Sequence, residues 1–222
     1  MQKKIVVSLS GGIDSTTTLM IALQMASAHE VLAVSFDYGQ RHSKELDCAH
    51  KICAHLGVEH MVMEMPSSHL KSALTDDTRD IPRVSYSEIQ GESPAYVPFR
   101  NGLMLSLLTG LAASIGAQYI MAGPHAEDAE NWAYADCTLE FMGAMAAAIY
   151  VGTYNKVRLL TPLLNMTKTE VVQKGGALRA PFELTWSCYL GHEKHCGTCP
   201  TCRARRDAFT LAGMVDPTEY EV

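Results

Sequence analysis

Short apolar runs alternate along this chain with longer stretches of helical period. Ile5-Val6-Val7-Ser8-Leu9 has the continuous apolar character of a strand buried on both faces, and a helical pattern, Thr17 to Met25, follows it. Val31-Leu32-Ala33-Val34-Ser35-Phe36 repeats the strand signal. Residues 42–57 read as a helix closed by Gly57, and His60 to Met65 as a third strand. Residues 66–99 are polar, punctuated by prolines and Gly91, and predict a long excursion of the kind that usually serves function. Regularity returns at Arg100. Leu103, Leu107, Leu108, Leu111 and Ile115 predict one apolar helix face, ended by Gly116. Tyr119 to Ala122 is another strand, and Gly123 opens the next loop. Phe141, Met142, Met145, Ala148 and Ile149 mark a helix stopped at Gly152, and Val157 to Leu160 a last strand. Thr167 caps a helix from Lys168, with Glu170 in its first turn. Strands alternating with helices predict an α/β fold with a doubly wound, mostly parallel sheet. Residues 1–180 form that domain, and residues 181–222 a small C-terminal segment packed on it.

The first strand-to-helix switch carries the most pointed chemistry, Ser10-Gly11-Gly12-Ile13-Asp14-Ser15. The two glycines let the backbone take positive φ and let a ligand approach. Successive N–H groups in such a turn form an anion nest, to which a helix start adds partial positive charge. Ser10, Ser15 and Thr16 supply hydroxyl donors for the same phosphate oxygens. No Lys follows the glycines, which excludes a Walker A loop, and the dinucleotide pattern G-x-G-x-x-G is absent. A serine nucleophile elbow is excluded too, because Gly-x-Ser-x-Gly does not occur here.

The chain has 222 residues, enough for one domain with a small appendage, and 47% are hydrophobic. A net charge of −6 argues against broad, nonspecific nucleic-acid binding. The apolar run after Lys4 is too short for a signal peptide, and the most apolar segment, Leu103 to Ile115, is too short and interrupted for a membrane span. A cytoplasmic location is expected. Seven cysteines, an odd number, argue against a disulfide framework. Four of them, Cys188, Cys196, Cys199 and Cys202, are spaced C-x7-C-x2-C-x2-C, and Gly197 permits the tight bend. Four thiolates satisfy tetrahedral zinc with no position left open, which predicts a structural clasp; an iron–sulfur cluster is the rival metal. His192 and His195 lie inside that loop but are not needed as ligands. Cys48, Cys53 and Cys137 read as small buried apolar residues.

Several further stretches have the look of a site: Tyr38-Gly39-Gln40-Arg41-His42, Tyr96-Val97-Pro98-Phe99-Arg100-Asn101, Asp136-Cys137 with Glu140, Lys168-Thr169-Glu170, and Thr185-Trp186-Ser187-Cys188-Tyr189. SGGxDS resembles the pyrophosphate loop of the ATP-pyrophosphatase (PP-loop) superfamily. SGGIDSTT, DYGQRH, YVPFRN, DC with EF nearby, TWSCY and the C-G-x-C-x-x-C clasp occur here in the order found in the 7-cyano-7-deazaguanine synthase family of queuosine and deazapurine biosynthesis. The resemblance runs from Ile5 to about Pro217. Two departures stand out: Thr138 follows Asp136-Cys137 where many members have arginine, and the loop Pro124 to Ala133 is longer than usual.

The resemblance implies an ATP-dependent C–N ligase that turns 7-carboxy-7-deazaguanine and ammonia into the nitrile through adenylated acid and amide. It implies ATP with Mg²⁺ at Leu9, Ser10, Gly11, Gly12, Ile13, Asp14, Ser15, Thr16, Tyr38, Gln40 and Arg41. Asp14, Arg100 and Lys168 carry the chemistry: Asp14 orients the loop or holds Mg²⁺, Lys168 neutralises charge, and Arg100 forks onto a carboxylate or phosphate. Arg100, Asn101, Asp136, Glu140, Trp186 and Tyr189 face the purine-like substrate. Zinc on the four cysteines, no nucleic-acid or membrane partner, and a homodimer complete the expectation. The rivals are a tRNA-modifying sulfur transferase with the same loop and a non-catalytic nucleotide-binding zinc module.

Overall fold

A computed structural model describes residues 2–41, 43–66, 69–76, 78–81, 83 and 88–222. His42 of the DYGQRH stretch and parts of the 66–99 excursion lie outside the described residues. Five strands, β1 (Ile5–Ser8), β2 (Val31–Asp37), β3 (Glu59–Glu64), β4 (Tyr119–Met121) and β5 (Arg158–Leu160), form one sheet in the order β3-β2-β1-β4-β5. Every pairing is parallel, and Ile5 of the central strand stands opposite both Val31 and Tyr119. Helices α1 (Ile13–Met25), α2 (Lys44–Leu56), α3 (Arg100–Ile115), α4 (Leu139–Gly152), α5 (Lys168–Ala177) and α6 (Pro200–Leu211) surround it.

The sheet is covered on both faces, which is why its central strands read as unbroken apolar runs. Successive side chains point to opposite faces. Val6 packs with Leu32, Val34 and, from α3 and α4, Leu105, Leu108, Met142 and Ile149. Its neighbours Ile5, Val7 and Leu9 pack with Leu19 and Ala22 of α1 and with Ala49 and Ile52 of α2. Each such side chain contributes roughly 2 kcal/mol by leaving water. A third cluster joins Ile13 and Met20 of α1 to Val171 and Val172 of α5 and to Phe182, Ala208 and Phe209. The rings of Phe182 and Phe209 meet edge to face at 5.3 Å inside this cluster, whose Ile13, Met20, Val171 and Val172 hold α6 against the sheet domain.

Three local differences from the sequence pattern have physical causes. Helix α1 starts at Ile13, not Thr17, so Asp14, Ser15 and Thr16 lie in its first turn. In α3 the buried positions are Gly102, Leu105, Leu108 and Ala112, whereas Leu103 and Leu107 are exposed. That helix has no charged residue after Arg100, so an apolar period alone could not choose its face. Strand β3 runs Glu59–Glu64, one residue earlier than His60 to Met65; as an edge it buries none of its side chains fully, so Glu59 and Glu64 are accommodated at its ends. Among the described residues no helix is long and apolar enough to cross a membrane.

The chain leaves β3 at one edge and re-enters at β4, on the other side of β1. Connections before and after this crossing run apart from each other and leave a crevice at the carboxyl ends of β1 and β4.

Candidate active site

The loop after β1 opens that crevice. Gly11 has φ +84°, and a Cβ there would stand 2.3 Å from the carbonyl oxygen of Glu45. Only glycine lets the loop and the start of α2 come so close. Gly12 differs from the expectation of positive φ at both glycines: it is extended, φ −86° and ψ 174°, and forms the N-cap of α1. A Cβ on Gly12 would make ordinary contacts at 3.5 Å with Ser10 Oγ and the Trp186 carbonyl. The loop hydroxyls brace one another. Ser15 Oγ accepts from Ser10 N–H at 3.1 Å, lies 3.0 Å from Ser10 Oγ and donates to the Gly12 carbonyl at 3.2 Å. Thr16 Oγ1 donates to that same carbonyl at 2.7 Å. The first N–H groups of α1 have no acceptor inside the helix, and Gly12, Ile13, Asp14 and Ser15 all line the cleft.

Asp14 is gripped from the far side of the crevice. Lys168 Nζ, in the first turn of α5, donates to both of its carboxylate oxygens at 2.6 Å. A capping box, Thr167 with Glu170, fixes that turn, and Lys168 N–H donates to Glu127 Oε1 at 2.8 Å. His125, buried after β4, brings Nε2 to 3.4 Å from Lys168 Nζ, 4.0 Å from Asp14 Oδ1 and 3.3 Å from Asp128 Oδ1. Burial would raise the Asp14 carboxyl, but Lys168 and His125 outweigh it and hold the group below its ordinary 3.8.

The opposite wall is built on Arg100. Its Nη1 donates to Tyr38 Oη at 2.9 Å, and its guanidinium lies 5.3 Å from the centre of that ring. Burial works against the Arg100 charge, yet Tyr38, Tyr189, Asp136 and Glu45 together keep it firmly protonated. Burial also pushes the Tyr38 phenol up to about 12. Gln40 folds back on its own loop: Oε1 accepts from Tyr38 N–H at 2.8 Å, and Nε2 donates to Glu45 Oε1 at 3.0 Å. Arg41 donates to the Asp76 carbonyl at 2.7 Å and to that of Arg79, which ties the cleft rim to the excursion after β3. Tyr189 Oη lies 3.3 Å from Tyr134 Oη, and both rings line the cleft. The Trp186 backbone N–H donates to the Gly11 carbonyl at 2.9 Å, and the Trp186 indole N–H to the Cys188 carbonyl at 2.8 Å. Its ring lies 4.2 Å from that of His195, with Lys44 Nζ 4.8 Å from its centre. The cleft measures about 280 Å³, close to the range of small-molecule sites.

Most residues singled out from the sequence meet in this cleft: Leu9, Ser10, Gly12 to Ser15, Tyr38, Gln40, Arg41, Arg100, Asn101, Lys168, Trp186 and Tyr189. Four stand back from its wall. Gly11 and Thr16 are buried behind the loop. Asp136 is 4% exposed, and its Oδ2 accepts from Asn101 N–H at 2.8 Å, so the carboxylate caps the start of α3. Glu140 is exposed on the first turn of α4. Sequence reading passed over Glu45 and His125, both of which line the cleft. A charged residue on an amphipathic helix and a histidine after proline give no pattern; only proximity to a carboxyl strand end could have marked them.

Cys188, Cys196, Cys199 and Cys202 are all buried, and their sulfurs lie within 4.8 Å of one another. Backbone N–H groups of Leu190 and Cys196 point at Cys188 Sγ, and those of Thr198 and Cys199 at Cys196 Sγ, at 3.3–3.4 Å. Such donors stabilise thiolates. The group could therefore hold a metal ion. His195 Nε2 accepts from Ser187 N–H at 3.0 Å, and His192 Nδ1 stands 3.0 Å from Glu221, so each has another partner. Cys53 and Cys137 are buried with thiols pushed up by desolvation, and Cys48 is half-buried and raised by the same cause.

The family model described as queuosine biosynthesis protein QueC matches residues 4–213. The chain is 41% identical over 224 residues to the 7-cyano-7-deazaguanine synthase of Pseudoalteromonas translucida (strain TAC 125), with 100% of each chain covered. It is 43% identical over 225 residues to the one from Allorhizobium ampelinum, covering 98% of this chain and 92% of that one. Among solved structures it is similar to the U34-tRNA thiolase NcsA from Methanococcus maripaludis with its [4Fe-4S] cluster. That match has TM-score 0.53 and 14% identity, over 95% of this chain and 68% of that one. It is also similar to NMN synthetase from Francisella tularensis, with TM-score 0.52 and 16% identity over 96% and 79%. At these identities the solved structures show the fold alone.

Proposed function

This chain belongs to the family of the queuosine biosynthesis protein QueC, and we propose that it converts 7-carboxy-7-deazaguanine, ammonia and ATP into 7-cyano-7-deazaguanine. The observation that carries the reading is whole-length similarity to synthases of that name, joined to a phosphate loop that faces an arginine across one cleft. A carboxylate does not accept ammonia, because oxide is too poor a leaving group; adenylation turns that oxygen into AMP. Pyrophosphate leaves over the first turn of α1, where N–H groups and the helix start favour an anion. Lys168 neutralises charge beside Asp14, and Arg100 forks onto the substrate carboxylate. Asp14, held by Lys168 through both oxygens, orients the loop or would hold the magnesium that accompanies the nucleotide, which would supply further charge neutralisation at the phosphates. Trp186 and Tyr189 supply aromatic faces for the deazapurine. Asp136 acts behind Asn101 by setting the start of α3.

Acid to nitrile passes through the primary amide, whose oxygen also needs activation. The chain has one SGGxDS loop, so one site adenylates twice. Mass spectrometry of the products from ATP, ammonium and 7-carboxy-7-deazaguanine tests this: two AMP per nitrile are expected. Synthetic amide gives nitrile and one AMP with no ammonia. An inert amide, or ADP and phosphate as products, overturns the mechanism.

Zinc is the reading for the clasp in residues 181–222, which packs on the ATP-binding domain of residues 1–180. Four sulfurs around one zinc at about 2.3 Å stand roughly 3.8 Å apart. Cys196 Sγ and Cys202 Sγ are 3.9 Å apart. A cubane iron–sulfur cluster would hold each sulfur on a separate iron, with the cluster core between them. A homodimer is proposed through α3 and α4. Leu139, Gly143, Ala147 and Val151 recur at four-residue steps on α4, all exposed, next to the exposed Leu103 and Leu107 of α3. We take the chain as cytoplasmic, since ATP and the free deazapurine are met there.

A further inference from the structure

Among the described residues three carboxylates line the cleft: Asp14, Glu45 and Asp128. Two have cationic or imidazole partners. Asp14 is bound by Lys168 at 2.6 Å. Asp128 accepts the His125 N–H at 3.0 Å and lies 3.3 Å from its Nε2. Glu45 differs. One oxygen accepts from Gln40 Nε2 at 3.0 Å, and among the described residues no cation stands within ion-pair distance of it. It sits in the first turn of α2, whose backbone touches Gly11, so its position is fixed relative to the phosphate loop.

Adenylation asks no base of the protein, but the incoming nitrogen does. Near neutral pH that nitrogen is almost all ammonium, which has no lone pair to offer. We propose that Glu45 receives ammonium in the cleft and takes its proton, delivering ammonia to the adenylated acid; this rests on the reaction proposed above. The carboxylate accepts one proton from NH₄⁺ and releases NH₃. The nitrogen lone pair forms the C–N bond to the acyl carbon, and the C–O bond to AMP breaks with its electron pair on the phosphate oxygen. The surplus proton on the new nitrogen leaves to solvent, and Glu45 returns its own proton the same way. Burial favours this role, since it pushes the Glu45 carboxyl up to about 7 against the pull of Arg100 and Gln40. The groups that face it are Arg100 from α3, Tyr38 from the end of β2 and the Gln40 amide.

The test separates ammonium from the rest of the reaction. Glu45→Gln preserves size and a hydrogen bond to Gln40. It is expected to raise the KM for ammonium at neutral pH tenfold or more. Hydroxylamine is largely unprotonated there and needs no base, so trapping of the acyl adenylate as hydroxamate should stay within about twofold of the unchanged chain. An unchanged ammonium KM, or equal loss of hydroxamate and amide, overturns the proposal. The unchanged chain gives a second reading that needs no variant. If Glu45 captures ammonium, KM in total ammonium changes less than threefold between pH 7 and 8; a tenfold fall, as for an enzyme that uses only free ammonia, overturns it. No hydroxamate from the unchanged chain would instead defeat the proposed reaction itself.

Discussion

Lys168 Nζ stands 2.6 Å from each carboxylate oxygen of Asp14, so the first turns of α1 and α5 are joined across 154 positions of sequence. The pair spans the crevice where the phosphates of ATP would lie. Lys168→Met is expected to lower kcat roughly 10²- to 10³-fold for acid and amide alike, the scale of one preorganised electrostatic group. Steady-state AMP release from each substrate checks it. Loss of only one half-reaction would separate the two adenylations.

The two glycines of the loop should respond differently. Gly11→Ala puts a methyl 2.3 Å from a backbone oxygen at φ +84°, and is expected to cost at least ~2 kcal/mol of stability. Gly12→Ala meets only ordinary contacts and should melt like the unchanged chain. Gly12→Val pushes its branches into the cleft and should abolish ATP binding while the chain stays folded. Urea denaturation and calorimetric titration distinguish these outcomes.

Removing a clasp ligand should remove ion and fold together. Cys199→Ser is expected to lose one metal ion per chain and most soluble protein, because binding energy at a closed site is folding energy. Elemental analysis finding iron in the unchanged chain, or a stable active metal-free protein, would sink the zinc assignment.

The raised carboxyl of Glu45 also has a consequence for stability. Its folded value is about 7 and its ordinary value 4.5, so its stabilising contribution is full below 4.5 and is lost as pH rises through 7. Arg100, Tyr38 and the Gln40 amide face it and titrate outside that window or not at all. The melting temperature of Glu45→Gln relative to the unchanged chain should therefore rise from pH 5 to pH 8. A constant difference would show that Glu45 titrates as an ordinary surface acid.

Arg205 is wholly buried, with Nε on Asp216 Oδ1 at 3.0 Å, Nη1 on Thr185 Oγ1 at 2.7 Å and Nη2 on the Phe182 carbonyl at 3.1 Å. Arg205→Met leaves the Asp216 carboxylate without its cation, held by Tyr220 Oη and Thr218 N–H, and is expected to cost about 3 kcal/mol in chemical denaturation.

Much of this arrangement was legible because strand and helix periods change abruptly at Leu9, Phe36 and Gly123, and loops at strand ends are where ligands gather. The cysteine spacing was legible for a similar reason, since ligand geometry is local. What stayed hidden depends on contacts between distant segments. That Asp136 also caps α3 through the Asn101 N–H depends on a contact 35 positions away. Gly12 looked like a positive-φ glycine but is an extended N-cap, and Leu103 looked buried on a helix apolar all round. Glu45 owes its altered acidity to burial, which outweighs the opposing pull of Arg100, and no local pattern encodes either.

Trp186 grips the Gly11 carbonyl by its backbone N–H while its ring rests on His195, a residue inside the cysteine clasp. One short piece of chain, Trp186 to His195, thereby holds the loop at one end and enters the cysteine cluster at the other. With the proposed zinc in that cluster, a cell starved of it would not make a sluggish enzyme that extra ATP could drive. It would make chains whose nucleotide bed never sets, so the yield of modified base would follow the supply of metal, not of fuel.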